Sequence, residues 1–307
     1  MANPGMYRAD HVGSLLQPAE LAALPADAPA AQREELAKAA IKRAVTLQRE
    51  LGLSIVSDGE LRRTDPMSPL HDAGGGRALV LDEARFLQSL LGPSAGAARV
   101  PFKVTLPAPS TVPARLAGSL RAALEALIAV GVNYIQLQNT EYARCLAEPA
   151  AAAALDALLA ADRAALEGLA RPAEVRLALY VGRGTAARVG LFDTANAAFA
   201  EKLFSTVPVD RFVVEVDDDP SGGFAALKHV PKAKSVALGL VSTRSPKLEE
   251  RDPILDRLDL AADCMEGDFM AVCPQSGFAG SGFSEDQQRR KLELIVSIST
   301  RYWGFEA

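Results

Sequence analysis

The chain has 307 residues, of which 49% are hydrophobic and 23% charged, and its formal net charge is −5. This composition is ordinary for a globular protein, and the acidic balance argues against a nucleic-acid partner, because nucleic-acid-binding domains present a basic face. No apolar run approaches the ~18 residues that a membrane-spanning helix needs, and the first residues lack the apolar segment of a signal peptide. Three cysteines without CxxC spacing are typical of a reducing compartment, so we expect a cytoplasmic protein that does not bind membranes.

Short apolar segments alternate with longer helical segments along the whole chain. Eight segments are predicted as β-strands, at residues 7–15, 53–60, 99–107, 132–139, 174–182, 211–217, 234–242 and 268–276. Most of them are continuous apolar runs, which are typical of strands covered on both faces. Helices are predicted between them, most clearly at 31–51, 114–131, 146–170 and 284–303. Gly52 and Gly131 stand where the first two of these helices would be capped.

Eight strand–helix units without a break in composition predict a single (β/α)8 TIM barrel that spans residues 1–307 as one domain. A doubly wound sheet is the structural alternative, but no GxGxxG motif follows the first strand. The glycine-rich stretch "HDAGGGRALV" at 71–80 is not followed by the Lys-Ser/Thr pair of a phosphate-binding loop. We interpret it as a mobile loop over the barrel mouth.

Barrels of this kind carry their chemistry at the C-terminal ends of the strands, where this sequence is rich in polar residues. His11 follows the first strand, and a lone histidine is as often a core hydrogen-bonding group as a catalyst. Glu60 ends the second strand, where it could act at the mouth or pair with Arg62 or Arg63. Glu215 lies among valines, where an unpaired carboxylate is costly, so we expect it to face a site at the mouth.

Eight motifs, in order along nearly the whole chain, carry a resemblance to a known family. They are "RADHVGSLLQP", "SDGELRR", "YIQLQ", "GRG", "VEVDDDPSGGF", "LGLVSTRSPKLEERD", "PQSGF" and "KLELIV…YWG". Together they resemble the short, single-barrel branch of the cobalamin-independent methionine synthase family. The resemblance implies a (β/α)8 barrel, in agreement with the strand count. It also implies a site where zinc activates the homocysteine thiol for methyl transfer from a folate or a related donor.

The zinc site that the resemblance implies is degenerate in this sequence. In the family, a histidine and a cysteine after the fifth strand, a glutamate on the sixth and a cysteine after the eighth hold the metal. These positions are occupied here by Tyr180, Gly182, Glu215 and Ser276, and Cys273 lies too early in the last strand to supply the thiolate. Hydroxyl groups are poor substitutes for thiolate or imidazole as zinc ligands. We therefore expect no metal and no zinc-driven methyl transfer.

The substrate contacts that the resemblance implies are retained only in part. Ser14 and Glu60, which contact the amino-acid substrate in the family, are present. Gln138, Asn139 and Thr140 replace the family's Asp-Glu-Pro, and loss of that aspartate disfavours an ammonium group as ligand. The only tryptophan lies in the last predicted helix, so the sequence does not support a folate donor.

Three functions are consistent with these features. The first is metal-independent chemistry on a small organic molecule, by transfer, lyase or cofactor-independent oxidation. The second is methyl transfer to homocysteine or another thiol, and the third is ligand binding without turnover. Polar residues at the lost ligand positions favour the first function over the third, because random decay would also leave apolar residues there.

For the first function, the sequence predicts both catalytic and binding groups at the mouth. The predicted catalytic residues are His11, Glu60, Tyr180 and Glu215. Arg183 and Arg244 would hold a carboxylate, phosphate or enolate, and Arg244 stands where long family members carry a catalytic histidine. The predicted substrate-binding residues are Ser14, Gln138, Asn139, Arg183, Arg244, Gln275 and Ser276. A small-molecule substrate is the expected partner, and no cofactor is expected.

Overall fold

Six of the eight predicted strands form one parallel sheet in chain order. They are β1 (Lys103–Pro107), β2 (Tyr134–Asn139), β3 (Arg176–Val181), β4 (Arg211–Glu215), β5 (Ser235–Val241) and β6 (Met270–Pro274). Every residue of β1, β4, β5 and β6 is buried, which explains why continuous apolar runs mark them. The computed structural model describes residues 7–25, 27–71, 78–92, 100–148, 150–184, 190–192, 196–216 and 224–304.

Two shorter extended segments close this sheet into a barrel. At Ala9 the chain pairs in parallel with Val272 of β6, and at Val56 it pairs in parallel with the residue before β1. The two segments join each other, because the Ser54 amide donates a hydrogen bond to the Ala9 carbonyl at 3.0 Å. Some of their other backbone groups bond to side chains instead, for example the Ser57 amide to Gln48 Oε1 at 2.9 Å, so these two strands are short. The predicted (β/α)8 barrel is confirmed.

Helices follow most of the strands. They are α1 (Ala19–Ala22), α2 (Ala30–Leu51), α3 (Leu79–Leu91), α4 (Ala117–Ala129), α5 (Glu141–Ala147), α6 (Leu155–Leu166), α7 (Ala197–Thr206), α8 (Arg251–Ala262) and α9 (Glu285–Trp303). α2 ends as predicted at Gly52, whose φ of +81° is left-handed. The single helix predicted at 146–170 is wrong: α5 and α6 are separate, in keeping with the proline at position 149, which disrupts a helix interior. None of the described helices is long and apolar enough to cross a membrane.

The barrel interior is charged below the mouth. Asp10, Lys103 and Arg211 are each at most 2% exposed. Lys103 Nζ lies 2.7 Å from Asp10 Oδ1, and an Arg211 nitrogen lies 3.6 Å from Asp10 Oδ2. Burial alone would raise the pKa of Asp10, but the two cations hold it below its ordinary value. Tyr180 and Cys273 belong to an apolar cluster inside the barrel, so packed side chains fill the interior beneath the mouth.

Candidate active site at the barrel mouth

Glu60 stands in a turn at the end of the second extended segment. Its φ is +61°, and no other non-glycine residue in the described ranges has a positive φ. The Asp58 side chain holds the turn, because its Oδ1 accepts a hydrogen bond from the Glu60 amide at 3.0 Å. A left-handed conformation costs ~1–2 kcal/mol for a residue with a Cβ. Its persistence here shows that the surrounding contacts fix the position of Glu60.

The Glu60 carboxylate lines a cavity of about 260 Å³ at the mouth. Its Oε1 accepts hydrogen bonds from the Thr105 hydroxyl at 2.6 Å and from the Gln138 amide at 2.9 Å. Its Oε2 has no hydrogen-bonding partner among the residues that the structure describes. One oxygen of Glu60 is therefore anchored, and the other is available to a ligand. The polar residues that share this cavity are Ser14, Gln17, Arg63, Asp65 and Gln138.

The first segment and the last loop meet at Ser14, on the wall of this cavity. A Cβ on Gly13 would lie 2.7 Å from Glu60 Oε1, so the glycine permits the close approach of the two segments. A Cβ on Gly277 would collide with the Ser14 hydroxyl, and the Ala279 amide lies 3.4 Å from that hydroxyl. Small residues on both sides thus position Ser14 beside Glu60.

A buried group of charges lies behind Glu60. Arg63 forms a two-point ion pair with Glu83 of α3, at 3.0 and 2.7 Å, and lies 3.5 Å from Glu60 Oε1. Asp58 is 4% exposed and belongs to the same group. Burial and the neighbouring Glu83 raise the pKa of Asp58 to about 7, although Arg63 opposes the shift. Burial and charge therefore favour the protonated form of Asp58 relative to that of an ordinary aspartate.

On the other side of the mouth, Glu215 at the end of β4 is held by four hydrogen-bonding or charged contacts. Its Oε1 accepts hydrogen bonds from Arg244 at 2.8 Å and from the Gln275 amide at 2.9 Å. Its Oε2 accepts a hydrogen bond from the Arg183 amide and lies 3.4 Å from Arg183 Nε. Burial raises the pKa of Glu215 in spite of the two arginines. Glu215 therefore links the end of β4 to residues that follow β3, β5 and β6.

The Tyr180 ring lies over the backbone of Gly182. A Cβ at position 182 would lie 2.5 Å from both Cε1 and Cζ of the ring and would also collide with the hydroxyl. The Tyr180 hydroxyl donates to the Gln275 carbonyl at 3.1 Å and interacts with the Ser276 side chain. Burial, with Glu215 nearby, raises the pKa of Tyr180, so the phenol stays protonated. Tyrosine at 180 and glycine at 182 are a matched pair.

An ion pair between a buried lysine and a partly exposed glutamate anchors the loop after β5, which carries Arg244. Lys291 of α9 is fully buried, and its Nζ lies 2.7 and 2.9 Å from the two oxygens of Glu249. Glu249 in turn accepts a hydrogen bond from the Ser242 amide at 2.9 Å. The Ser242 hydroxyl donates to Gln275 Oε1 at 3.0 Å. The last helix is thus linked to the Glu215 network through side chains.

The structure brings most of the predicted residues together as two neighbouring groups. Ser14, Glu60 and Gln138 line the cavity, whereas Tyr180, Arg183, Glu215, Arg244, Gln275 and Ser276 belong to the second group. Their catalytic and binding roles remain predictions.

Two predicted residues lie elsewhere. The side chain of Asn139 donates to Ser110 and Asp162 and accepts from the Glu141 amide, away from the cavity. His11 is 1% exposed, and burial beside Lys103 lowers its pKa to about 3, so its imidazole is neutral.

No role was predicted from the sequence for Gln17, Asp58 or Asp65, and Arg63 was considered only as an ion-pair partner of Glu60. A signal for Asp58 was present, because an Asp-Gly pair after a strand is typical of a tight turn. The turn at 217–220, and all of the 71–80 stretch except its ends, lie outside the described residues. In the described ranges, no group of three or more histidine, cysteine, aspartate or glutamate side chains is arranged to hold a metal ion.

The fold of this chain is also found in other solved structures. The chain aligns with the proposed vitamin B12-independent methionine synthase of Listeria monocytogenes with a TM-score of 0.79 and 20% identity, over 97% of this chain and 98% of the other. It aligns with a B12-independent methionine synthase from Shewanella sp. W3-18-1, in complex with selenomethionine, with a TM-score of 0.74 and 18% identity, over 96% and 97% of the two chains.

The barrel fold is shared with these proteins. In sequence, the chain is 26% identical to each of two Bacillus subtilis (strain 168) proteins described as uncharacterized, YxjG and YxjH, over 97% of this chain and 95% of each relative. No family model matches the sequence. The comparisons support the resemblance to methionine synthase-like barrels, and they show the fold.

Proposed function

We propose that this protein is a methionine-synthase-like barrel enzyme that acts on a small organic molecule without a metal ion. Glu60 is the general base, and Arg244 and Arg183 stabilise negative charge that develops on the substrate. The observation that carries the proposal is the set of contacts made by the residues at the positions where the resemblance implies zinc ligands. Glu215 is bonded to Arg183, Arg244 and Gln275, and Tyr180 is bonded to Gln275 and Ser276, so these positions leave no donor set suited to zinc.

The chemistry of these residues supports metal independence. Glu215 is the one retained ligand position, and its oxygens already accept hydrogen bonds from Arg244, Gln275 and Arg183. A zinc ion at Glu215 would have to displace these partners and would stand close to two guanidinium charges. The Tyr180 ring fills the space over Gly182, and the phenol is protonated at neutral pH. Zinc prefers thiolate and imidazole ligands, so this set does not fit it.

The geometry of Glu60 supports its role as the base. Its Oε1 is anchored by Thr105 and Gln138, which fixes the carboxylate, while Oε2 remains available to a substrate proton. Proton removal from carbon or oxygen leaves negative charge on the substrate. The guanidinium of Arg244, whose side chain is 35% exposed at the same mouth, is suited to stabilise that charge. Transfer, lyase and cofactor-independent oxidation reactions can all begin with such a step, and no folate donor is required.

A metabolite screen followed by a matched pair of variants tests this proposal. Small molecules retained by the purified protein are identified by mass spectrometry and then assayed for turnover. Glu60→Gln should lower turnover by ~10²-fold or more, because the amide cannot accept the proton. Glu50→Gln is the control, since it makes the same chemical change at an exposed position of α2. Full activity in Glu60→Gln would refute the assignment of the base.

Metal analysis tests the other half of the proposal. The purified protein should hold well below one zinc ion per chain after mild chelation. One zinc ion per chain that resists chelation would refute metal independence and would favour methyl transfer.

Methyl transfer to a thiol is the second candidate function, because Ser14 and Glu60 line the same cavity. In the family, these positions contact the amino-acid substrate. Binding without turnover is the third candidate, and it would be favoured if the screen found a retained ligand that no assay converts.

A further inference from the structure

The Asp58–Glu60 turn contains more negative charge than its cations balance. Asp58, Glu60 and Glu83 are three carboxyl groups, and among the described residues the cation that faces them is Arg63. Arg63 already forms two hydrogen bonds with Glu83 and two with Thr105. Ionising all three carboxyl groups at once in a buried site is unfavourable, because each added negative charge is desolvated and repelled by the others.

Asp58 is the member of this group that the protein neutralises most easily. It is 4% exposed, and its Oδ2 has no hydrogen-bonding partner among the described residues. Glu83, by contrast, has a bidentate arginine, and Glu60 has Thr105 and Gln138. An ionised carboxylate with a bare buried oxygen is the least stable of the three anions. The value of about 7 for the pKa of Asp58 agrees with this geometry.

Asp58 also fixes the backbone on which Glu60 stands. Its Oδ1 accepts the Glu60 amide hydrogen at 3.0 Å, and Glu60 has the left-handed φ of +61°. The Gly59 amide donates to the Ser57 hydroxyl at 3.1 Å, and the Arg63 amide donates to the Glu60 carbonyl at 3.0 Å. Of these three hydrogen bonds, the one that Asp58 Oδ1 accepts ends on a group whose charge can change.

We propose that Asp58 is a positioning residue for Glu60: it holds the turn with Oδ1 and carries a proton on its carboxyl group when the site is in its lower-pH form. Loss of that proton adds a second negative charge directly behind Glu60. The inference rests on the proposed function only in taking Glu60 as the acting group. It adds that the cavity changes its charge near neutral pH through a residue that does not line it.

A titration of the protein itself tests this inference without a substrate. With 13C-labelled carboxyl groups, the Asp58 signal in the wild-type protein, identified by its loss in Asp58→Asn, should titrate with a midpoint near 7. Glu83→Gln should lower the midpoint, because it removes a neighbouring charge. A wild-type midpoint below pH 5 would overturn the inference.

Stability measurements give a second, independent readout. A raised carboxyl pKa means that the folded state binds the proton more tightly than the unfolded state, so stability falls as pH rises from about 4 to about 7. Between pH 5 and pH 8, the unfolding constant of the wild type should rise by up to ~80-fold relative to that of Asp58→Asn. Asp256→Asn, an exposed change on α8, should keep the wild-type profile. Equal pH profiles in the wild type and Asp58→Asn would overturn the inference.

The two Asp58 variants separate positioning from charge. Asp58→Asn keeps an oxygen that can accept the Glu60 amide hydrogen, whereas Asp58→Ala removes it. The backbone coupling constant that reports φ of Glu60 should therefore keep its left-handed value in the first variant and change in the second. An unchanged coupling constant for Glu60 in Asp58→Ala would refute the role of Asp58 in positioning Glu60. If Glu60→Gln keeps full turnover while Asp58 titrates near 7, the assignment of Glu60 as the general base is refuted, whereas the inference about the charge of Asp58 is upheld.

Discussion

The pairing of Tyr180 with Gly182 leads to a prediction about stability. In Gly182→Ala, the new Cβ would lie 2.5 Å from two ring carbons of Tyr180, closer than Cβ contacts in real proteins. Tyr180 is 5% exposed inside the barrel, so its ring can move only by displacing its neighbours. Overpacking of this kind costs about 1–3 kcal/mol. Gly182 does not have a positive φ, so alanine adds no backbone strain there.

The expected change in melting temperature follows from the size of the chain. At about 2.1 cal/mol/K per residue, unfolding of 307 residues carries an entropy of roughly 0.6 kcal/mol/K. A loss of 1–3 kcal/mol should therefore lower Tm by about 2–5 °C. Gly118→Ala is the control, because a Cβ on this exposed glycine of α4 meets nothing within 4 Å, and alanine is the better helix former.

A double-mutant cycle identifies the cause of the loss. In a Tyr180→Ala background the ring is absent, so Gly182→Ala should be neutral or slightly stabilising. The coupling free energy measured by urea denaturation should be about 1–3 kcal/mol. Gly182→Ala with an unchanged Tm, or a coupling free energy below about 0.5 kcal/mol, would refute the matched pair and weaken the argument against zinc at this position.

Two further predictions concern the loop after β5 and the cavity. Glu249→Ala should destabilise the protein by about 1–3 kcal/mol because the buried Lys291 ammonium keeps the Lys247 carbonyl but loses its carboxylate, whereas Lys291→Met should cost less because it removes that charge; equal losses in urea denaturation would contradict the ion-pair argument. Homocysteine should bind weakly, because Gln138 donates to Glu60 and supplies no second carboxylate for an ammonium group. Micromolar affinity in calorimetry would contradict this reasoning and revive the methyl-transfer function.

The barrel could be predicted from the sequence because buried parallel strands leave a local signature. Six of the eight predicted apolar runs contain the strands of the sheet, and the other two contain the segments at Ala9 and Val56. The same signature hides which face of a strand a residue occupies, because a continuous apolar run has no alternation. Gln138 and Asn139 are adjacent, yet Gln138 lines the cavity and Asn139 bonds to Asp162 on the other face.

The contacts of Glu215 could not be predicted for a different reason. Its partners Arg183, Arg244 and Gln275 come from three other strand ends, 29 to 60 positions away along the chain. Sequence reasoning placed all four residues at the mouth but could not tell whether the arginines face a substrate or the glutamate. The distances show that both arginines contact Glu215, and their contact with a substrate stays a prediction.

The three cysteines lie at different depths, so their rates of reaction with a thiol reagent report different kinds of opening of the structure. Cys264 is partly exposed, Cys145 of α5 is 1% exposed and Cys273 is fully buried inside the barrel. Burial and the nearby Asp10 raise the pKa of Cys273, so its thiol is unreactive while the strands remain closed. A thiol reagent would therefore modify Cys264 in the native protein and Cys273 only after the strands separate. Labelling rates then distinguish a local movement of the surface from the rare event in which the whole barrel opens.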